Sequence, residues 1–197
     1  MPGDDDLIIT FLAAQRAFGE RVHAVAEGQW ARPTPDREWS VTDLVWHLVD
    51  EHRWAEPLLS GVDMDAAGAV VADLYPAPAG PGGPDLVREW DIASTQSAGA
   101  FRAYGALAGT VHIGRGRAPA PEYLAEMNLD LVVHAWDLGT AIGYPVPLPA
   151  DVAAAVYGEA QAIVDRTPRG MFADPVGIPD GAPLLDRLVA LTGRDPV

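Results

Sequence analysis

The stretch from Tyr123 to Gly143 constrains this chain more than any other part of it. Apolar residues recur at Leu124, Met127, Leu131, Val132, Ala135, Leu138, Ala141 and Ile142, a spacing that selects one continuous helix of about five turns. Pro121 suits its first turn, and Gly143 followed by Pro145 stops it. Into this apolar helix the sequence sets Asp130 and His134, four residues apart, with Asp137 one turn further on, and all three project from one face. A buried carboxylate and a buried imidazole are costly unless paired, hydrogen-bonded or bound to metal. Two readings therefore stand side by side: an internally satisfied couple, or part of a metal site.

An earlier helix has the same peculiarity. Ser40 caps it, with Asp43 three places on in a capping-box arrangement, and it runs from Val41 to about Leu59 before Gly61. Pro57 is placed to kink or end its last turn. Leu44, Val45, Leu48, Ala55, Leu58 and Leu59 form its buried set, while His47, Glu51 and Trp54 share a face bordered by Asp50. His52 points elsewhere; of Asp50 and Glu51 one is expected to be an ordinary solvated charge, and Glu51 could instead support a ligand or serve as a fourth one.

The rest of the chain reads as further helices and their connections. A first helix spans about Asp5 to Ala26 on the stripe Leu7, Ile8, Phe11, Leu12, Phe18, Val22 and Val25, with His23 on its surface. Between Gln29 and Trp39 lies a proline-containing linker with a tryptophan near each end, placed to pin it to the bundle. Val62 to Pro84 reads as a long loop with at most a short helical turn, either a lid or a disordered segment. A helix from about Asp85 to Leu107 follows, and then the glycine-arginine segment of Val111 to Pro121. Arg115 and Arg117 lie there, suited to a ligand carboxylate or to neighbouring surface acids. The glycine spacing and the missing lysine rule out a phosphate-cradling loop. Beyond Pro149 come a helix over about Asp151 to Asp165, a loop or short strand over 168–179, and a terminal helix ended by Gly193. With no repeat, heptad array or strand-rich region, the economical fold is all-α: a helical bundle in one domain spanning 1–197, its core about 5–143 and a C-terminal extension about 149–197.

Charge and composition narrow the partners. A net charge of −15 offers no basic stripe for nucleic acid and reads as a solubilising acidic surface. With 0 cysteines, any thiol chemistry must use a thiol brought in from outside. The first residues lack the pattern of a signal peptide, and no stretch has the apolar length of a membrane span, so a cytoplasmic protein is expected.

A bundle can bring His47, Asp130 and His134 to one interior point. Imidazole and carboxylate suit Zn2+ and related divalent ions, and three protein ligands leave coordination positions open for water or substrate. The segments Glu38-Trp-Ser-Val-Thr-Asp-Leu-Val-Trp-His-Leu-Val-Asp-Glu-His-Arg-Trp and Asp130-Leu-Val-Val-His-Ala-Trp-Asp-Leu-Gly-Thr-Ala-Ile-Gly, with the ending Asp-Arg-Leu-Val-Ala-Leu-Thr-Gly-Arg-Asp-Pro, resemble the actinobacterial metal-binding proteins of the DinB-like superfamily. Relatives of those proteins include mycothiol-dependent maleylpyruvate isomerases, and the resemblance spans nearly the whole chain.

The resemblance implies a DinB-like four-helix bundle with a short additional C-terminal segment and a divalent metal, Zn2+ first and Ni2+ second, on His47, Asp130 and His134. Many DinB-like proteins use three histidines, and the isomerase relatives place a glutamate where this chain has Asp130. In the relatives with known activity a low-molecular-weight thiol binds near the metal and its sulfur attacks an electrophile. The implied function is thus a transferase or isomerase using mycothiol or another such thiol on a small electrophile. Asp137 or Glu51 would orient a ligand histidine or move a proton, and Arg115 or Arg117 would meet a carboxylate of cofactor or substrate. The alternatives are a non-catalytic metal- or ligand-binding bundle, a metal-assisted hydrolase that activates water, and a metal-free bundle. The expected partners are a small-molecule thiol and its electrophile, without nucleic acid or membrane and with a homodimer left open.

Overall fold

A computed structural model describes residues 3–36, 38–75, 84–168 and 170–196. Among them the apolar stripes become seven α-helices: α1 (Asp4–His23), α2 (Val41–Leu59), α3 (Met64–Leu74), α4 (Pro84–Arg102), α5 (Ala120–Ile142), α6 (Ala150–Arg166) and α7 (Leu184–Leu191). A two-stranded antiparallel sheet, β1 (Thr110–Ile113) and β2 (Gly116–Pro119), precedes α5.

Four of these helices close a ring in which α1 packs on α5, α5 on α2, α2 on α4 and α4 on α1. The periodicity explains the packing. On α1, Leu7, Phe11, Ala14, Phe18 and Val22 recur every three or four residues, and all are buried. Phe11 meets Phe101 of α4 edge-on at 5.0 Å, and Phe18 meets Trp90 at 4.7 Å, so aromatic rings cement the α1–α4 seam. The central helix α5 buries Leu124, Leu131, Val132, Ala135 and Leu138 without residual exposure. It ends where Gly143 adopts the left-handed conformation at φ +69°, letting Tyr144 donate its amide to the Gly139 carbonyl at 2.8 Å. Outside the ring, α6 and α7 pack against each other and against α5, and α3 lies on α2.

The α2 N-terminus is fixed by a reciprocal capping box. Ser40 accepts the Asp43 amide at 3.3 Å, and the Asp43 carboxylate accepts the Ser40 amide at 2.9 Å. Pro57 does not stop the helix, because the last turn tolerates one missing donor and the helix continues to Leu59.

Two connections differ from expectation. Residues 64–74 form the helix α3 instead of a loop: Asp63 accepts the Ala66 amide at 2.9 Å as its N-cap, and Ala67 and Val71 are buried. A helix of 11 residues is marginal in isolation, and it is the packing against α2 that stabilises it. The remainder of the expected loop, residues 76–83, lies outside the described residues. The glycine-arginine segment is a β-hairpin, not an irregular loop, with Val111 opposite Ala118 and both nearly fully buried. The helix before it ends at Arg102, and Leu107 belongs to a short 3-10 turn over Ala106–Ala108. α1 likewise stops at His23, short of Ala26. No helix among the described residues is long and apolar enough to cross a membrane.

Candidate metal centre

The capped α2 and the long α5 meet along a seam that carries polar side chains. From α2 comes His47, seven residues after Ser40; from α5 come Asp130 and His134, one turn apart. One donor atom from each of these three residues lies within 4.8 Å of the others, and no other group of histidines and carboxylates among the described residues converges in this way. The Asp130 carboxylate sits between the two imidazoles, with His134 Nε2 at 3.2 Å from Oδ1 and His47 Nε2 at 3.4 Å from Oδ2. Asp130 Oδ2 is buried yet accepts no hydrogen bond, because the 3.4 Å contact with His47 lacks bonding geometry. A carboxylate whose two oxygens each face an imidazole nitrogen, the buried Oδ2 without a hydrogen bond, suits a divalent cation in donor type and spacing.

Electrostatics reinforce the grouping. Burial pushes the Asp130 carboxyl up, but the imidazoles of His134 and His47 outweigh it and hold the group well below the ordinary carboxylate range. Burial alone would lower His134, yet the carboxylates of Asp130 and Asp137 raise it to about 9, and His47 is raised against burial by Asp130.

Behind His134 stands a second layer. Its Nδ1 lies 3.0 Å from Oδ2 of Asp137, whose side chain has no exposed surface. A carboxylate can only accept, so Nδ1 carries the hydrogen and Nε2 is left to face Asp130. Asp137 is held in turn by Arg194, which donates from Nη2 at 2.9 Å and from Nε at 3.3 Å. The Trp39 ring lies 4.6 Å from the His47 ring and 5.4 Å from the His134 ring, walling the cluster on the linker side.

The other singled-out residues separate clearly. Glu51, one turn after His47 on α2, is partly buried, and burial together with the charge of Asp130 pushes its carboxyl up to about 7. The Tyr123 hydroxyl is buried nearby without a hydrogen-bond partner and is pushed up by burial and by Glu51. Arg115 is engaged by Glu126 at 2.7 Å and Glu122 at 3.0 Å, and Arg117 donates to the Thr110 hydroxyl at 2.9 Å. Neither guanidinium has a bond or ion pair to the His47 cluster among the described residues. His52 is buried in the core, donating from Nδ1 to the Leu48 carbonyl at 2.8 Å and stacking on Phe11. His23 is an exposed partner of Asp91 at 2.8 Å.

Sequence reasoning gave Arg194 and Asp36 no role and gave Trp39 only a packing one. A buried Asp137 needs a counter-charge, and in a chain with 13 lysines and arginines against 28 acids that need was a usable signal. The arginine following the last helix is the one that meets it.

Comparison with known proteins agrees with this architecture. Residues 11–139 match the family model described as the mycothiol maleylpyruvate isomerase N-terminal domain. Two uncharacterized proteins of Mycobacterium tuberculosis, Rv0738 and MT0763, are each 29% identical over 192 residues, spanning 96% of this chain and 98% of theirs. Among solved structures, mycothiol-dependent maleylpyruvate isomerase superposes with a TM-score of 0.58, and a histidine-to-alanine variant of it with 0.60. Both are 15% identical to this chain, and the match covers 81% of this chain and 70% of theirs, a likeness of fold. The helical ring, the helix pair that carries the cluster, and the matched region together make the chain a DinB-like bundle and a member of the mycothiol maleylpyruvate isomerase N-terminal domain family.

Proposed function

We propose that this protein binds a divalent metal, Zn2+ in the first instance, on His47, Asp130 and His134, and acts in the cytoplasm as a thiol-dependent transferase or isomerase on a small electrophile, with mycothiol as the thiol. The observation that carries the reading is the convergence of three donor atoms within 4.8 Å in a chain of this family. A divalent cation supplies stabilisation of thiolate over thiol, which raises the supply of nucleophile at neutral pH.

The chain's own residues have distinct tasks. Asp137 fixes the ring of His134 by accepting its Nδ1 hydrogen, and Trp39 limits water access from the linker side. Glu51 lies on the same face of α2 as His47 and is placed to hold or pass a proton at its carboxyl oxygen. Arg115 and Arg117 are assigned to the hairpin surface in this reading, because Glu122, Glu126 and Thr110 already engage them.

The test is elemental analysis of protein purified without chelator or nickel resin, beside His47→Ala, followed by a panel of electrophiles with and without mycothiol. One equivalent of metal lost in the variant and thiol-dependent turnover support the reading. Turnover without added thiol points to hydrolysis, metal without turnover points to a binding protein, and absence of metal uptake returns the three residues to internal pairing.

A further inference from the structure

The Arg194 side chain reaches the interior from the turn that follows α7, and its contacts join three parts of the chain. It grips Asp137 on α5 through Nη2 and Nε, donates from Nη1 to the Thr192 carbonyl at 3.0 Å, and donates from Nη2 to Asp36 Oδ2 at 2.9 Å. Asp36 belongs to the linker that also carries Trp39, the ring lying against both His47 and His134. Its own backbone is tethered, the Arg194 amide donating to the Val189 carbonyl at 3.0 Å.

We infer that Arg194 is a positioning residue of the metal centre: it locks the Asp137 carboxylate and the Trp39 linker so that the ring of His134 is held with Nε2 toward His47 and Asp130. The inference rests on the metal reading proposed above and deepens it. It also makes the C-terminal turn part of the site, although residue 194 lies outside the matched region 11–139.

The physical argument is one of valence and geometry. Asp137 Oδ2 serves both His134 and Arg194, so the orientation of the carboxylate is set only while both donors are present. The planar guanidinium meets both carboxylate oxygens and thereby removes the rotation that one contact would allow. Asp137 has no exposed surface while Arg194 covers it, so removal of the arginine takes away both its counter-charge and the two donors that fix its orientation and frees the carboxylate to turn from the imidazole. A lysine would restore charge but not the two-pronged grip.

The experiment compares full-length wild type, Arg194→Ala and Arg194→Lys by competitive Co2+ titration and by the visible absorption spectrum of the bound cobalt. Circular dichroism and melting of the metal-free proteins are recorded in parallel. Arg194→Ala is expected to bind Co2+ about 10- to 100-fold more weakly, the usual effect of an outer-shell partner, with an altered cobalt spectrum at unchanged helix content. Arg194→Lys should fall between, and it carries the test where Arg194→Ala does not fold. Wild-type cobalt affinity and spectrum in the substituted protein, with or without a lower melting temperature, overturn the inference and leave Arg194 a staple of the fold. A wild type that takes up no Co2+ is a different result, because it overturns the metal reading itself.

Discussion

The rings of Trp39 and His47 lie with centroids 4.6 Å apart and planes tilted by 43°, so an indole from the linker rests on the α2 imidazole of the candidate metal centre. Cobalt or nickel bound at His47 would sit within easy quenching range of this indole. Addition of Co2+ should therefore remove part of the tryptophan emission, and Trp39→Phe, which takes away one of six tryptophans, should reduce that response while still binding the ion. An emission response to Co2+ that survives unchanged in His47→Ala would move the ion away from His47.

Removal of individual donors should separate ligands from their supports. His134→Ala deletes a donor and is expected to abolish stoichiometric metal retention. Asp137→Asn keeps all three donors and should weaken binding only about 10- to 100-fold, because it loosens the ring of His134 without deleting it. Metal content after dialysis and competitive chelator titration would measure both. Equal losses in the two variants would mean that His134 serves as a donor only while Asp137 holds its ring.

These expectations show where the sequence was readable. Asp130, His134 and Asp137 were legible because helical spacing places them on one face, and burial of charge on such a helix is costly wherever it occurs. His47 was legible because the Ser40 and Asp43 box defines where α2 begins and hence which face His47 shares with Glu51. Contacts between distant segments were not: nothing in the local pattern says that Arg194 crosses to Asp137, 57 residues earlier in the chain. α3 was missed because its buried stripe is only Ala67 and Val71, in a segment rich in alanine and glycine that packing on α2 makes helical. The hairpin escaped because each strand has 4 residues, too few to display an alternating pattern.

The metal-free protein should show opposed pH slopes. His52, buried against Phe11 and Trp90, is pushed down by burial from an ordinary 6.5 to about 4. The unfolded chain then binds the proton that the folded chain refuses, so its contribution is fully present above pH 6.5 and is lost as pH falls through 4. That loss is on the order of 3 kcal/mol. His134 acts in the other direction: raised to about 9, it contributes stability that is complete below pH 6.5 and lost as pH rises through 9. Glu51, raised to about 7, favours folding while protonated and loses that contribution as pH rises from 4.5 through 7, so it offsets the His52 gain. Urea unfolding with chelator present should find little net slope between pH 4.5 and 6.5 and a loss of stability above pH 7 as His134 deprotonates. His52→Leu should remove the offsetting gain and leave stability falling from about pH 4.5 upward; an unchanged slope below pH 6.5 would mean that His52 does not stay neutral in the fold.

Two glycines offer a sharper test of the C-terminal turn. Gly143 and Gly193 both have left-handed backbones, at φ +69° and +85°. A Cβ at Gly143 meets nothing within 4 Å, whereas one at Gly193 would lie 2.5 Å from the Ala173 Cβ and 3.0 Å from the Ala173 carbonyl carbon. Gly143→Ala should therefore cost only the conformational penalty, about 1–2 kcal/mol. Gly193→Ala adds a steric overlap with Ala173, and a shift of the turn that relieves it moves Arg194, the next residue, relative to Asp137. It should destabilise the metal-free protein more than Gly143→Ala and also weaken Co2+ binding, which Gly143→Ala should leave unchanged. If Gly193→Ala lowers stability while cobalt affinity stays at the wild-type value, the overlap is absorbed without disturbing His134, and strain in this turn does not reach the metal centre.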